Sequence, residues 1–245
     1  MTNPYLSVVI SAWNESANIR QGALDQVLNY LSGQKFSWEV IVVDDGSSDN
    51  TAELLKKYAV KIIRNPHQGK AAGIMTGVSH SAGEIILFCD MDQATPISEF
   101  DKFIPKFKEK FDIVIGSRSG RKGAPIYRQI LAYGMVILRG LLLRLPYRDT
   151  QCGFKAFTRQ SAQKLFAILE KIHTPKSTTG GVTNPGFDVE LLYLGRKLGF
   201  RTAEVTVNWE HQHGERVRFI KDAIAGTWEL LLVRWRSLTN AYGLR

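Results

Sequence analysis

Glu84-Ile-Ile-Leu-Phe-Cys-Asp-Met-Asp-Gln-Ala-Thr-Pro96 is the stretch from which the fold can be read. Its apolar run, Ile85 to Cys89, predicts a strand buried on both faces, and the run stops at two carboxylates one residue apart, Asp90 and Asp92. An ionised carboxylate at the rim of a core is costly unless a cation meets it. In an open α/β sheet ligands bind at the carboxyl ends of strands, so a fitting partner is a divalent metal carrying the phosphates of a nucleotide. Taken alone, the same residues also make an acidic turn, with Pro96 opening the next helix.

Working outward, Leu6 to Ser11 is a β-branched run followed by Trp13 and Glu15, then a helical pattern from Ser16, which can cap it, to about Leu31. Trp38 to Val43 predicts a second buried strand ending in Asp44 and Asp45, with Ser48 or Asp49 able to cap a helix over Ala52 to Tyr58. Val60 to Arg64 reads as a third strand and Gly69 to Ser81 as a helix rich in small residues. Beyond the Asp-x-Asp stretch, a helix is expected over about Ile97 to Lys110, a strand over Ile113 to Gly116 and a helix over Ile126 to Leu145. Strands alternating with helices predict an α/β chain with one mostly parallel, Rossmann-like sheet flanked by helices.

A chain of 245 residues, 44% hydrophobic, can bury one large core. We expect one domain over residues 1–212 and an amphipathic helical extension over 213–245. Cys89 and Cys152 lie far apart without metal-type spacing, which argues against a disulfide framework and for a reducing compartment. No n-region, h-region and cleavage site precede Ser7, and the most apolar long window, Ile130 to Leu145, is interrupted by Arg139 and Arg144, so neither a signal peptide nor a spanning helix is expected. The net charge of +9 is concentrated: Arg118 to Arg159 carries nine basic residues and one acidic residue. That block suggests a polyanionic partner. Its tyrosines and phenylalanines interleave with Leu and Ile as on a helix face, which suits a lipid surface better than nucleic acid.

No Gly-x-Gly-x-x-Gly follows the first strand and no Gly-x-x-x-x-Gly-Lys-Ser/Thr occurs anywhere, which disfavours dinucleotide and P-loop folds. Instead, successive strand ends carry Trp13 with Glu15, Asp44 with Asp45, and Asp90 with Asp92. Carboxylates and an aromatic ring suit a nucleobase and ribose, while a metal takes the diphosphate. A plain turn role is the alternative for Asp45.

Ser7-Val-Val-Ile-Ser-Ala-Trp-Asn-Glu15, Val42-Val-Asp-Asp-Gly-Ser-Ser-Asp49, Asn65-Pro-His-Gln-Gly-Lys70, Asp90-Met-Asp92 and Gly116-Ser-Arg118 together resemble the signatures of inverting family 2 glycosyltransferases with the GT-A fold. Arg148-Asp-Thr-Gln-Cys-Gly-Phe-Lys155, Phe187-Asp-Val-Glu-Leu-Leu192 and Val207-Asn-Trp209 resemble the branch that moves glucose from UDP-glucose to dolichyl or other polyprenyl phosphates. The resemblance implies Mn²⁺ or Mg²⁺ on Asp90 and Asp92, and a nucleotide-sugar donor held by Ser11, Trp13, Glu15, Val43, Asp45, Lys70, Asp90, Met91, Asp92, Asp188 and Arg216. It also implies catalytic roles for Asp92, Asp149, Arg118 and Arg128, the two arginines meeting the acceptor phosphate. Mannosyl relatives place a glutamine ligand two residues after the second aspartate; here Ala94 stands there and Gln93 comes one residue early. Eukaryotic relatives carry an N-terminal anchor and none is expected here, so the resemblance implies a peripheral enzyme on the cytoplasmic face of a membrane.

A phosphate monoester, with second pKa about 6, is mostly dianionic at neutral pH, so an acceptor of that kind needs no strong base. It needs guanidinium groups to hold it against a negatively charged donor, which is the part we expect of Arg118 and Arg128. Asp149 is expected to orient the sugar or Lys155, or to form an Asx-turn. Asp188 could equally be a helix N-cap, and His211 with His213 fit solvated strand-end residues better than metal ligands. Thr174 to Gly186 reads as a mobile loop that can close over the donor. Ile220, Ile224, Trp228, Leu231, Trp235 and Leu238 form a helical stripe that either core packing or lipid contact explains. Two other readings remain open from the sequence: a transferase for a soluble acceptor, and a catalytically silent protein that binds nucleotide and anionic lipid.

Overall fold

The structure, a computed structural model, describes residues 3–118, 126–173, 186–210 and 219–244, with 126–132 and 219–223 as backbone only. Its strands are β1 (Leu6–Ala12), β2 (Trp38–Asp44), β3 (Lys61–Arg64), β4 (Ile85–Asp90), β5 (Ile113–Arg118), β6 (Lys155–Thr158) and β7 (Thr202–Val207). Its helices are α1 (Ser16–Arg20), α2 (Ala23–Ser32), α3 (Thr51–Leu55), α4 (Lys70–Ser79), a 3-10 helix (Ile97–Lys102), α5 (Ile104–Lys108), α6 (Ile126–Leu143), α7 (Arg159–Ile172), α8 (Phe187–Lys197) and α9 (Phe219–Leu238).

The strands form one sheet in the order β3-β2-β1-β4-β6-β5-β7. Every pairing is parallel except those of β6, which runs antiparallel to both β4 and β5. The expected parallel α/β layout is therefore present, with one reversed strand that hydrophobic patterning did not announce. Residues along each inner strand alternate between two cores. Val9, Ile86, Phe88, Ile113 and Phe157 pack on one face, and Val8, Ile10, Ile85, Leu87, Val114 and Ala156 on the other. Both faces being covered is why the strands read as unbroken apolar runs. The small residues of α4 let it sit directly on β1: a Cβ at Gly73 would lie 2.2 Å from Ser11 Oγ, and one at Gly77 2.2 Å from Val9 Cγ1.

Several boundaries differ from the sequence expectation. The helix expected from Ser16 to Leu31 is broken at Gly22, whose φ of 83° is left-handed. Ser16 makes no cap; instead Asp49 reaches across, its carboxylate accepting from Ser16 N at 3.2 Å and Thr51 N at 2.9 Å. One side chain thus caps both α1 and α3. Although burial works against its charge, these hydrogen bonds lower the pKa of Asp49 to about 2. The stretch Ile97 to Lys110 splits into the 3-10 helix and α5, with Pro105 near the start of the latter. The expected loop over Thr174 to Gly186 lies outside the described residues except for Gly186, the N-cap of α8.

The C-terminal helix is fastened by a buried carboxylate. Glu190 of α8 is fully buried and accepts from His173 Nε2 at 2.5 Å, Tyr242 Oη at 2.6 Å and Arg236 at 2.8 Å. Burial opposes its ionisation, but the hydrogen bonds from His173 and Tyr242 and the charge of Arg236 outweigh it and hold its pKa below the usual glutamate value. Leu230 and Val233 turn the inner face of α9 into the same core. Replacing Glu190 by Ala, which leaves Arg236 uncompensated, is expected to remove about 3 kcal/mol of stability in urea unfolding. Because the folded pKa is depressed, the stabilisation is complete above the unfolded value of about 4.3 and fades as pH falls through the lower folded value. Wild type and variant should therefore converge in stability in acid.

Candidate functional site

The register puts Ala12, Asp44 and Asp90 at one edge of the sheet, since Ser11 pairs with Asp90 and Ala12 with Asp44. Arg118 ends β5 at the same edge, and reversed β6 begins there with Lys155, which pairs with both Phe88 and Ile115. The reversal brings the loop Arg148 to Phe154 into the site.

Asp90 is the best-defined group. Its Oδ1 is ion-paired with Lys70 Nζ, at the start of α4. On its other side the backbone of Gly153 is so close that a Cβ there would lie 2.0 Å from Oδ2. Asp92 Oδ1 accepts from Ala94 N at 3.0 Å, which fixes the turn after β4. Gln93 faces away from the edge: its Nε2 donates to the Asp90 carbonyl at 2.8 Å and its Oε1 accepts from Ile97 N at 3.1 Å, so it supports the turn and the 3-10 helix. Two hard carboxylate donors at a strand end suit Mg²⁺ or Mn²⁺. Among the described residues no third His, Cys, Asp or Glu joins them in a metal-binding group, so phosphate oxygens and water would complete the coordination.

Beside the pair, Trp13 stacks on His67 with ring centroids 4.5 Å apart and 10° between planes. Asp45 holds that arrangement: it is buried, Oδ2 meets His67 Nδ1 at 2.8 Å and Gly69 N at 2.7 Å, and Oδ1 accepts from Gln68 N at 3.0 Å. Asp45 therefore ties down the 65–69 loop as well as facing the edge. Its neighbour Asp44, also buried, accepts from Ser47 N through Oδ1, while Oδ2 accepts no hydrogen bond among the described residues and has Arg64 Nε 3.5 Å away. Arg64 is mostly exposed, so that pair is weak. The pKa of Glu15 is raised, first by burial and then by Asp92 and Asp90, with the hydrogen bond from Asn18 opposing. Ser11 packs on α4, and the side chains of Val43 and Met91 are buried in the core, so their backbone is what they can offer a ligand.

Across β6, the guanidinium of Arg118 makes a two-pronged pair with Asp149, Nε to Oδ2 at 2.6 Å and NH2 to Oδ1 at 3.0 Å, and lies 5.7 Å over the ring of Trp209. Burial opposes ionisation of Asp149, but Arg118 overrides it and keeps the carboxyl below its ordinary value. Asp149 thus orients Arg118, and the expectation that it orients Lys155 is corrected. Lys155, fully buried, donates to Asp188 Oδ1 and to the Cys152 carbonyl, both at 2.5 Å. Asp188 sits in the first turn of α8, where Gly186 is the N-cap, so it is not the N-cap residue itself. Arg139, which interrupts the apolar pattern of α6, is buried and holds the 147–150 loop through Thr150 Oγ1 at 3.1 Å and the carbonyls of Tyr147 and Arg148. The side chain of Arg128 and all of His211, His213 and Arg216 lie outside the described residues.

Sequence reasoning gave no role to Gly153, His67 or Arg139. None of the three carries a local signal, since each acts through a contact distant in sequence.

The description "Glycosyl transferase family 2" belongs to the family model that matches residues 7–166. A dolichyl-phosphate beta-glucosyltransferase of Dictyostelium discoideum is 32% identical over 99% of this chain and 78% of its own length. One of Mus musculus is 34% identical over 98% of this chain and 78% of its own length. Among solved structures, glucosyl-3-phosphoglycerate synthase from Mycobacterium tuberculosis, in complex with Mn²⁺, UDP and glucosyl-3-phosphoglycerate, superposes with a TM-score of 0.63. It is 19% identical and covers 94% of this chain and 80% of that one. Mannosyl-3-phosphoglycerate synthase from Rubrobacter xylanophilus gives 0.69 at 14% identity, over 97% and 75%. These two likenesses establish the GT-A fold.

Since Gly153 presses on Asp90, Gly153→Ala must displace the carboxylate or the loop. It is expected to weaken Mn²⁺ binding in the presence of UDP by roughly tenfold or more, as loss of an outer-shell support does. Manganese titration by electron paramagnetic resonance, with a thermal melt as a folding control, measures this. Unaltered manganese affinity would show that the contact does not position Asp90.

Proposed function

The chain belongs to glycosyl transferase family 2, and from that premise we propose that it transfers glucose from UDP-glucose, with inversion, to a polyprenyl phosphate at the cytoplasmic surface of a membrane. The observation that carries this reading is the division of the sheet edge by β6. A carboxylate pair suited to a metal lies on one side and a guanidinium braced by Asp149 on the other. An anionic donor and an anionic acceptor need such opposite ends. The near full-length similarity to dolichyl-phosphate beta-glucosyltransferases supports the choice of acceptor.

Asp90 and Asp92 would hold Mn²⁺ or Mg²⁺, which when bound neutralises the diphosphate leaving group. Trp13 offers a ring to the base, and Asp45 with the unsatisfied oxygen of Asp44 offers acceptors to nucleoside N–H and hydroxyl groups. Asp149 takes two of the five N–H donors of Arg118 and aims the others, so the guanidinium can bind the acceptor phosphate in a fixed orientation. Arg128, on α6, is a second candidate for that phosphate and Arg216 a further donor contact. An already ionised phosphate oxygen attacks the anomeric carbon as the bond to the diphosphate breaks, and no side chain has to remove a proton.

Adjacent helices supply the lipid-facing surface. Along α6, Tyr133, Ile137 and Leu141 are exposed at four-residue spacing, and along α9 so are Ile224, Trp228, Leu231, Trp235 and Leu238. Trp228 and Trp235 are each about two thirds exposed, at 66% and 65%, while Leu230 and Val233 face the core. The stripe read from the sequence is thus mainly the outer face of α9, supporting lipid contact for the region proposed as an amphipathic extension. Among the described residues no helix is long and apolar enough to cross a membrane.

Incubation with radiolabelled UDP-glucose, Mn²⁺ and polyprenyl phosphate in vesicles is expected to yield organic-extractable glucose, and Asp92→Ala to lower the rate by about 10²–10³-fold. Absence of lipid-linked product, or equal transfer to a soluble phosphate, would contradict the acceptor assignment. In flotation with vesicles containing anionic lipid, Trp228→Glu with Trp235→Glu is expected to leave the protein in the soluble fraction; unchanged flotation would remove α9 from the membrane contact.

A further inference from the structure

Asp90 is expected to meet a metal, yet in the structure its Oδ1 already meets an ammonium. Lys70 Nζ is paired with it, and the Gly153 backbone crowds its other oxygen, although the Asp90 side chain stays 39% exposed. A divalent ion that takes Oδ1 displaces or shares the place of Lys70, and two cations on one carboxylate repel. Once displaced, the ammonium has few neighbours able to receive it. The other carboxylates acting on it are Asp188 and Asp92, with Glu15 also in range. Asp188 is already compensated by buried Lys155, at 2.5 Å, and Asp92 would itself face the metal. Lys70 needs a strong anion to leave Asp90 for. A nucleoside diphosphate would supply one beside the amino end of α4, where Lys70 is the first residue and first-turn N–H groups have no intrahelical partner. The side chain has room to move, being half exposed.

We propose that Lys70 is a positioning residue that occupies the metal's place on Asp90 until a nucleoside diphosphate draws it away, so that metal and nucleotide bind as a coupled pair. The proposal rests on the metal and donor reading above and adds to it an exchange of partners: Asp90 passes from ammonium to metal as Lys70 passes from carboxylate to diphosphate. Coupling of this kind is reciprocal, so the metal tightens the nucleotide by the factor with which the nucleotide tightens the metal. It also keeps the acidic edge neutralised when no donor is present.

The test is Mn²⁺ binding, followed by electron paramagnetic resonance, for wild type, Lys70→Gln and Lys70→Arg, each with and without saturating UDP. For the wild type, UDP is expected to tighten Mn²⁺ about tenfold or more, within the usual span of such couplings. Lys70→Gln, which removes the competing charge, is expected to bind Mn²⁺ alone severalfold tighter and to show a correspondingly smaller UDP effect, the part due to phosphate ligation of the ion remaining. Lys70→Arg, which keeps the charge, should stay close to wild type with Mn²⁺ alone. Mn²⁺ affinity without UDP that is unchanged or weaker in Lys70→Gln would overturn the exchange while leaving the metal assignment standing. Wild type that binds no Mn²⁺ even with UDP would overturn both.

Discussion

The structure depends on how negative charge is held at the carboxyl edge of the sheet. Asp44, Asp45, Asp90, Asp92 and Asp188 converge there, and such a crowd is tolerated only because each carboxylate is met by a cation or by backbone N–H groups. Lys70 meets Asp90, Lys155 meets Asp188, and the 67–69 loop wraps Asp45. Lys155 is the extreme case: burying a cation without partners is costly, and its contacts with Asp188 and a carbonyl offset that cost. The opposite problem is solved at Arg118, whose positive charge is braced by Asp149.

The reversed strand makes this possible. Were β4 and β5 direct neighbours, Asp90 and Arg118 would abut and the 148–154 loop would have no route between them. With β6 between them, Gly153 reaches Asp90 and Lys155 reaches beneath Asp188, while Arg118 and Asp149 stand on the far side. Arg139 belongs to the same construction, since it holds the loop from behind by its carbonyls. A single segment from Arg148 to Lys155 thus touches both Asp90 and Arg118.

Much of this was legible in the sequence. The apolar runs at Leu6, Trp38 and Ile85 became central strands because both faces of the sheet are covered, and a period-independent apolar run is the mark of that environment. The acidic strand ends and the resemblance to family 2 followed from residues that sit at turns, where side-chain chemistry is local. What escaped depended on contacts distant in sequence. Strand β6, Lys155–Thr158, is four residues long, too short to show a period, and its direction is set by neighbours 40 and 70 residues away. The cap of α1 comes from Asp49 rather than Ser16, a contact across 33 positions. Gly22 interrupted a helix whose apolar spacing continued through it. The α9 stripe was visible, but only the buried carboxylate Glu190 and the inward Leu230 and Val233 determine which face looks outward.

The pairing of Asp90 and Asp92 with a metal is the claim on which the functional reading turns, and anomalous scattering from manganese in crystals grown with UDP tests it most directly. The expected result is one strong peak within coordination distance of both carboxylates, with Lys70 Nζ moved from Asp90 onto the diphosphate. A manganese peak elsewhere on the chain, with Lys70 still on Asp90 beside bound UDP, would contradict it.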